Sequence, residues 1–192
     1  MKKEFIALIA CVCGFIAFWI FFAIGTNNSL VRMKEDVRMQ QGQIEAQLQR
    51  RMDLIPNLVE TVKAYAKHEE EVFTEIANAR ASLASGISSE NLEQIASANN
   101  QLDSALGRLI AISEAYPELK SDKNFINLQD ELAGTENRIS VARQGYNEYV
   151  AKYNKKVQSF PSSIIANSKG FKTLPYFEAV AQTQSAPKVD FN

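Results

Sequence analysis

Apolar residues fill one unbroken run near the N-terminus and afterwards recur at helical spacing. Phe5 to Ile24 are twenty uncharged, mostly apolar residues. A helix rises about 1.5 Å per residue, so this run can cross a hydrocarbon core of about 30 Å. The pattern predicts a short N-terminal tail over 1–4 and a transmembrane anchor over 5–25, and makes the lipid bilayer a partner of the chain.

Two other interpretations of the run stay open. A cleaved signal peptide usually has an apolar region of about 7–15 residues that ends at small residues. This run is longer, and it carries Trp19 and several phenylalanines near its far end, as an interfacial aromatic belt does. Leu8-Ile9-Ala10-Cys11 looks like a lipoprotein cleavage box, but the apolar run continues well past it. A retained anchor is therefore favoured over both alternatives.

Beyond the anchor, apolar residues at steps of three and four predict helices throughout. The first soluble helix can continue straight from the anchor, and its stripe is Leu30, Met33, Val37, Gln41, Ile44 and Leu48. At Pro56 this helix either kinks, or Asp53 caps a second helix with Pro56 in its first turn. The second helix is predicted to run to about Ala84 and to stop at Ser85-Gly86.

Two further helices complete the predicted bundle. The third begins near Ser88 and ends at Pro117, with a stripe at Leu92, Ile95, Asn99, Leu102, Leu106, Leu109, Ser113 and Tyr116. The fourth is capped by Ser121 or Asp122 and ends at Pro161. Its stripe is Phe125, Leu128, Leu132, Thr135, Ile139, Ala142, Tyr146, Tyr149, Tyr153 and Val157.

Long helices with short connections, and the lack of strand signals, predict the fold class. We expect an all-α protein: an N-terminal transmembrane helix followed by an antiparallel bundle of long helices, like a four-helix bundle, over 26–180. Phe171, Tyr176 and Phe177 lack helical spacing and are expected to fold back on the bundle. The polar composition from Ala181 predicts disorder over 181–192.

Charge and cysteine content exclude several classes of function. The net charge of −1 lacks the basic excess of a nucleic-acid-binding protein. Both cysteines, Cys11 and Cys13, lie in the anchor, so the soluble part has no disulfide, thiol nucleophile or thiolate metal ligand. Basic residues are nearly balanced across the anchor, and the very short basic N-terminus favours an extracytoplasmic soluble domain.

The single histidine, His68, has no catalytic or metal-binding context. A helical zinc-protease motif needs a second histidine four residues later, and that position is Val72. No serine stands in a nucleophile elbow, and no Gly-rich phosphate loop is present. The acidic run from Glu69 to Glu71 is typical of a solvated helical face. We therefore predict no metal, no cofactor and no enzymatic activity.

Two polar clusters are the candidates for a functional or structural role. The first contains Arg50, Arg51, Asp53, Pro56 and Asn57, and the second contains Glu131, Gly134, Glu136, Asn137, Arg138, Arg143 and Asn147. We interpret them as a charge-paired, hydrogen-bonded layer between the first or second helix and the fourth, because arginine pairs bidentately with carboxylates. A binding site for a carboxylate, a phosphate or a partner is the alternative.

Two smaller features of the fourth helix also need an interpretation. Gly134 inside a helix costs about 1 kcal/mol against alanine, which suggests a close helix crossing there. Tyr146, Tyr149 and Tyr153 are more typical of core residues than of a binding ladder.

The same segments resemble the LemA family of bacterial membrane proteins. The matching stretches are 50–69, 115–120, 128–139 with Arg143, Tyr146-Asn147, Tyr153-Asn154, and Gly170-Phe171 with Tyr176-Phe177-Glu178. Asn27-Asn28-Ser29-Leu30-Val31 departs from the family, whose members often have a tyrosine in a Tyr-Asn-x-Leu-Val element at this place.

The resemblance implies an anchored helical-bundle protein of the bacterial inner (plasma) membrane, and it adds no reaction and no catalytic residue. It makes the matching residues His68, Glu69, Tyr153 and Asn154 further candidates for structural or partner-binding roles. Relatives include a magnetosome membrane protein, and members often accompany membrane proteases. The family is commonly assigned an extracytoplasmic N-terminus, opposite to the orientation favoured above.

Three functions remain open at this stage. The first is a scaffold that self-associates as a homo-oligomer and organises membrane or partner proteins; the spacing Ala10-x-x-x-Gly14 could pack two anchors. The second is an adaptor or sensor for a membrane-protein partner, such as a membrane protease, or for an envelope-stress pathway. An enzyme that uses His68 and Arg51 is the least favoured.

Overall fold

The computed structural model describes residues 2–177, and these residues contain six helices and no strand. The helices are α1 (Lys2–Lys63), α2 (Glu70–Ser88), α3 (Leu92–Ser113), α4 (Pro117–Lys120), α5 (Lys123–Gln158) and α6 (Ser162–Ser168). The all-α prediction is confirmed. The predicted disordered tail over 181–192 lies outside the described residues.

The apolar run lies in α1, which continues from it into the rest of the chain without a break. This helix is long and apolar enough to cross a membrane: its most apolar stretch has a mean hydropathy of 2.5 and is not buried by other described residues. Trp19 and Phe22 stack near the end of the run, with ring centroids 5.6 Å apart.

Pro56 lies inside α1 and not in the first turn of a new helix. The interpretation that Asp53 caps a second helix is therefore wrong, and its carboxylate accepts a hydrogen bond from Gln49 Nε2, one turn earlier, at 2.8 Å. Ile55 and Leu58, on either side of the proline, are completely buried. Proline has no backbone N–H, so the helix lacks one hydrogen bond at Pro56. The burial of Ile55 and Leu58 offsets that loss and keeps the helix continuous.

The boundaries of the predicted second helix are also wrong. The helical path breaks between Lys63 and Glu70, where the exposed Lys67 and His68 supply no apolar side chain to the core. At the other end α2 continues through Gly86 to Ser88. Gly86 serves close packing there, because a Cβ atom on it would lie 3.1 Å from the backbone nitrogen of Ile95.

The described chain divides into two compact units. The hairpin unit comprises 43–143 and Phe177, and the anchor unit comprises the residues up to Gly42 together with Gln144–Tyr176.

In the hairpin unit, α2 and α3 form an antiparallel helical hairpin. The Asn91 side chain caps α3 by accepting a hydrogen bond from the Gln94 backbone N–H at 3.0 Å. α3 ends at Ser113, earlier than predicted, because Pro117 begins the short helix α4.

Asp122 caps the first turn of α5, as one of the two predicted alternatives requires. Its carboxylate accepts hydrogen bonds from the backbone N–H groups of Asn124 and Phe125 at 2.8 and 3.0 Å. Within this unit α5 runs antiparallel to α1, since Arg50 bonds Glu131 while the later Tyr65 bonds the earlier Asp122.

The core of the hairpin unit contains most members of the predicted stripes, and Ile44, Leu48, Ile95, Leu102, Leu109 and Phe125 among them are fully buried. Ile55, Leu58, Val62, Ile76 and Leu83 are fully buried as well. Leu128 and Ala142 of the predicted α5 stripe are only half-buried, so the stripe is narrower than predicted.

In the anchor unit, the last part of α5 and all of α6 pack against the middle of α1. Its buried residues are Thr26, Leu30 and Val37 of α1, Tyr146, Val150, Tyr153, Asn154 and Val157 of α5, and Ser162, Ile165 and Ala166 of α6. α5 ends at Gln158, before a cis Phe160–Pro161 bond, and α6 is an element that the sequence analysis did not anticipate.

The aromatic residues after α6 behave differently from one another. Phe177 is buried and Phe171 is half-buried, as expected of a segment that folds back. Tyr176 remains 46% exposed, although its neighbour Pro175 accepts a hydrogen bond from the Tyr146 hydroxyl of α5.

Candidate functional site

The most elaborate polar arrangement in the described chain surrounds Arg51 in the hairpin unit. Arg51 Nη1 donates to Asn99 Oδ1 at 3.0 Å and to Glu136 Oε2 at 2.8 Å, and Nη2 forms an ion pair with Asp103. Asn99 in turn donates to Asp103 Oδ2 at 3.0 Å. We call these four residues the Arg51 cluster; they join α1, α3 and α5.

Burial makes this cluster energetically significant. The Arg51 side chain is only 6% exposed, whereas those of Asp103 and Glu136 are 37% and 42% exposed. A buried guanidinium is costly unless its N–H groups are paired, and the two carboxylates together outweigh its charge. The cluster therefore fixes the register of α1, α3 and α5 relative to one another. An apolar contact at the same place would discriminate less between alternative registers.

One face of the cluster lacks protein partners. Arg51 Nε and Gln47 Oε1 are both buried, and neither has a hydrogen-bond partner among the described residues. Gln47 lies one helical turn before Arg51 on α1, so a donor and an acceptor lie on the same side of the helix.

Sequence reasoning found only part of this cluster. Arg51 and Glu136 belonged to the two predicted polar clusters, and Asn99 was placed on a buried stripe. Asp103 was missed, although its spacing of four residues from Asn99 on α3 brings the two side chains together.

Arg50, next in sequence, forms the exposed counterpart of this arrangement. Its guanidinium donates to Glu131 at 3.1 Å, and the two side chains are 56% and 51% exposed. Asp53 and Asn57 are also exposed, and the Asn57 carbonyl accepts a hydrogen bond from the Thr61 hydroxyl.

Gly134 does not mark a close helix crossing, and that prediction is wrong. The three atoms nearest to a Cβ atom on Gly134 would all belong to the guanidinium of Arg138, one turn later on the same helix, at 3.4 Å or more. Asn137 and Arg138 themselves are exposed.

Arg143 lies against the segment that follows α6. Its guanidinium lies 4.9 Å from the ring centroid of the buried Phe177. This cation–π contact connects α5 to the last described residue of the chain.

In the anchor unit, α5 side chains hold the extended segment 171–176. Asn154 donates to the Leu174 carbonyl at 2.9 Å and accepts from the Leu174 N–H at 2.8 Å. The Tyr146 hydroxyl donates to the Pro175 carbonyl at 3.0 Å. Burial raises the pKa of the Tyr146 and Tyr153 phenols, because it disfavours the charged phenolate. Asn147 is half-buried on the same helix.

The histidine region makes no such arrangement in the described chain. His68 is exposed in the break between α1 and α2, and Glu69 precedes the first residue of α2 without a side-chain cap bond. Among the described residues, no group of three or more His, Cys, Asp or Glu side chains is placed to hold a metal ion.

An open polar groove lies between α2 and α3, with a volume of about 470 Å³. Its lining residues are small or polar: Glu75, Asn78, Ala79, Ser97, Asn100, Gln101, Ser104, Ala105 and Arg108. Arg108 pairs with Glu75 at its edge, so the groove carries little net charge.

Comparison with known proteins gives a family and several relatives. Residues 40–191 match the family model described as the LemA family. The protein named magnetosome protein MamQ 2 from Paramagnetospirillum magneticum is 28% identical over 177 residues, which cover 79% of this chain and 64% of the relative. Magnetosome protein MamQ from Magnetospirillum gryphiswaldense is 28% identical over 173 residues, covering 78% and 64%.

A third relative is the protein named LemA from Metamycoplasma hominis, 24% identical over 164 residues, which cover 85% of this chain and 74% of the relative. The chain spans less than two thirds of the length of the magnetosome relatives that it matches.

Proposed function

We propose, from the premise that this chain belongs to the LemA family, that it is a membrane-anchored helical scaffold without catalytic activity. In this proposal it self-associates at a bacterial inner membrane through its N-terminal helix and organises membrane or partner proteins there. Two of its relatives are named as magnetosome proteins, which fits a role in a defined cellular assembly.

One observation supports the scaffold role above others. The polar side chains at family-matching positions bond within the chain: Arg51 joins three helices, and Asn154 and Tyr146 hold the segment after α6. Such bonds fix the relative positions of helices and chain segments. Side chains used in this way stabilise a rigid framework, which is what a scaffold requires.

The N-terminal helix offers a surface for self-association. Ala10 and Gly14 lie one turn apart in the apolar run, and small residues at this spacing let two helices approach closely in a bilayer. A Cβ atom on Gly14 would meet nothing within 4 Å in the same chain. A larger side chain there is therefore tolerated by the monomer and would act only on contacts between copies.

Mass photometry of the chain in mild detergent tests the proposal. We expect species larger than the monomer for the unaltered chain, and a shift towards monomer for the double variant Ala10→Leu and Gly14→Leu. Val12→Leu is the matched control, because it lies on another side of the helix and should leave the distribution unchanged. Monomers alone at every concentration would contradict the scaffold role.

The α2–α3 groove favours an adaptor as the second candidate function. Its small, polar, nearly neutral lining suits an extended segment of a membrane-protein partner better than a charged ligand. A photo-crosslinking residue at Ser97, in the groove, should capture another polypeptide in cells. The same residue at the exposed Ser140 on α5 is the control, and equal or absent capture at both positions would remove the adaptor function.

A further inference from the structure

The register of helices in the anchor unit places the turn between α5 and α6 beside the end of the apolar run. A Cβ atom on Gly145 would lie 3.2 Å from Gln40 Oε1. These two residues of α5 and α1 therefore lie at the same height along the helix axes. Thr26 and Leu30 are buried, and the only other segment of this unit is Gln144–Tyr176. α5 must therefore run antiparallel to α1 here, since residues after Gly145 have to cover residues before Gln40.

The level of the turn follows from counting residues. Gln158, the last residue of α5, comes thirteen positions after Gly145, and thirteen positions before Gln40 is Asn27. The apolar run ends at Ile24, so the end of α5 lies about 5 Å from it along the helix axis. Phe22 and Ala23, inside the run, are already half-buried by protein.

The turn displays large apolar side chains at this level. Phe160 is 81% exposed and Ile164 is 46% exposed. The turn is fixed from inside, because the buried Ser162 hydroxyl bonds the carbonyls of Lys156 and Ser159, each at 2.7 Å. Phe160 and Ile164 beside the end of the apolar run extend an exposed apolar surface, and such a surface is typical of a protein or membrane contact site.

The same part of the chain is strongly basic. Residues 144–176 contain five lysines and one glutamate, a net charge of +4 in a chain whose total is −1. Lys155 and Lys169 are exposed and Lys156 is half-buried, and these lysines precede and follow Phe160 and Ile164 in the sequence. Apolar residues between lysines are typical of a surface that lies in the interface of an anionic bilayer.

We propose that the α5–α6 turn is a second membrane contact, which docks on the anionic phospholipid bilayer that surrounds the anchor. Phe160 and Ile164 enter the boundary between headgroups and acyl chains, and Lys155, Lys156 and Lys169 contact lipid phosphates. The bilayer is the favoured occupant because the exposed turn is continuous with the apolar run of the same unit. This inference rests on the membrane anchorage proposed above.

Tryptophan fluorescence in nanodiscs tests the contact on the 192-residue chain. The chain has one tryptophan, Trp19, so the double variant Trp19→Phe and Phe160→Trp reports on the turn alone. Trp19→Phe with Val141→Trp is the matched control, because Val141 is 67% exposed on the same helix but about 25 Å before its end. Trp19 in the unaltered chain reports on the anchor.

We expect the Phe160→Trp variant to emit at shorter wavelength than the Val141→Trp control and to be quenched by lipids with brominated acyl chains. Both effects should be larger in discs that contain phosphatidylglycerol than in discs of phosphatidylcholine alone. Replacing Lys155, Lys156 and Lys169 by glutamine should remove that difference.

Four outcomes would overturn the inference in distinguishable ways. Quenching of Trp19 without quenching at position 160 means that the anchor inserts and the turn stays in water. A blue shift without lipid quenching means that protein, such as a second copy, covers the turn. Quenching that is independent of phosphatidylglycerol removes the lysine contacts. An unquenched Trp19 removes the proposed anchor itself, and the inference with it.

Discussion

At the scale of single residues, Arg50 and Arg51 show how burial separates two neighbouring side chains of the same type. The exposed Arg50 pairs with the exposed carboxylate of Glu131. Both side chains stay largely hydrated, so the pair replaces contacts with water that are almost as favourable. Arg51 is withdrawn from water and depends on Asn99, Asp103 and Glu136 for its hydrogen bonds. Position on the helix, and not residue type, decides which arginine matters for stability.

We expect Arg51→Met to lower the free energy of unfolding by about 3 kcal/mol, because removing one partner of a buried ionic group leaves the others unpaired. Arg50→Met is the matched control and should cost less than about 1 kcal/mol, as exposed ion pairs do. Urea unfolding followed by circular dichroism in detergent measures both. Equal losses for the two variants would show that the Arg51 cluster is not a distinct stabilising site.

Asp122 provides a pH-dependent contribution at the start of α5. The hydrogen bond from the Phe125 N–H has the largest effect on the Asp122 carboxyl and lowers its pKa below the ordinary value of 3.8. Burial opposes it, and the bonds from the Tyr65 hydroxyl and the Asn124 N–H lower the pKa further. A carboxyl whose pKa is lower in the folded state than in the unfolded state stabilises the protein at pH values above the unfolded-state pKa. That stabilisation is lost as the pH falls through the folded-state pKa.

Thermal unfolding between pH 6 and about pH 2, across the ordinary carboxyl range, tests this assignment. The unaltered chain should lose melting temperature towards acid more steeply than Asp122→Asn, which keeps a capping oxygen that does not titrate. Parallel curves for the two chains would mean that Asp122 does not contribute to the acid sensitivity.

At the scale of secondary-structure elements, packing overrides several local signals. α1 continues through Pro56 because Ile55 and Leu58 are buried on either side of it. α2 continues through Gly86, where α3 approaches too closely for a side chain. The break between α1 and α2 carries no proline or glycine at all. A proline and a glycine, which usually end helices, are thus found inside helices where packing favours a continuous path.

Two prolines should respond in opposite directions to replacement by alanine. Pro56→Ala restores a backbone N–H inside a helix and should raise the free energy of unfolding by about 1–3 kcal/mol. Pro117→Ala, at the start of α4, removes a residue already restricted to the helical φ and should lower it by about 0.5–1 kcal/mol. Urea titrations of both variants provide the measurement, and a destabilising Pro56→Ala would show that a distortion at Pro56 is required.

At the scale of the whole molecule, charge is distributed unequally along the chain. Residues 43–143 contain sixteen acidic and ten basic residues, a net charge of −6, while 144–176 carry +4. An anionic bilayer attracts the basic segment and repels the acidic one. The basic segment belongs to the same unit as the apolar run, which is consistent with anchorage of that unit at a membrane.

The orientation of the chain can be tested with a single cysteine. In a background with Cys11→Ser and Cys13→Ser, the variant Ala84→Cys places one thiol on the exposed surface of α2. If the hairpin unit is extracytoplasmic, as the short basic N-terminus favours, a membrane-impermeant maleimide should label it in intact cells. The cysteine-free parent is the control. Labelling only after the membrane is permeabilised would place the unit in the cytoplasm.

Much of the candidate site could be anticipated from the sequence, and its limits have clear causes. Arginines and carboxylates at helical spacing indicated that α1 and α5 are paired through polar side chains. Asp103 could not be assigned in this way, because its role depends on how α3 packs against α1. Gly134 was misinterpreted for the same reason: a glycine inside a helix does not show what lies beside it.

The sequence by itself determined the all-α class, the apolar N-terminal stretch and most core positions, because these depend on spacing and composition along one helix. The tertiary structure alone decided which helices are continuous, which of two adjacent arginines is buried, and that Phe160 is exposed in the turn before α6. Those features arise from contacts between residues far apart in the chain, whose energies outweigh local preferences.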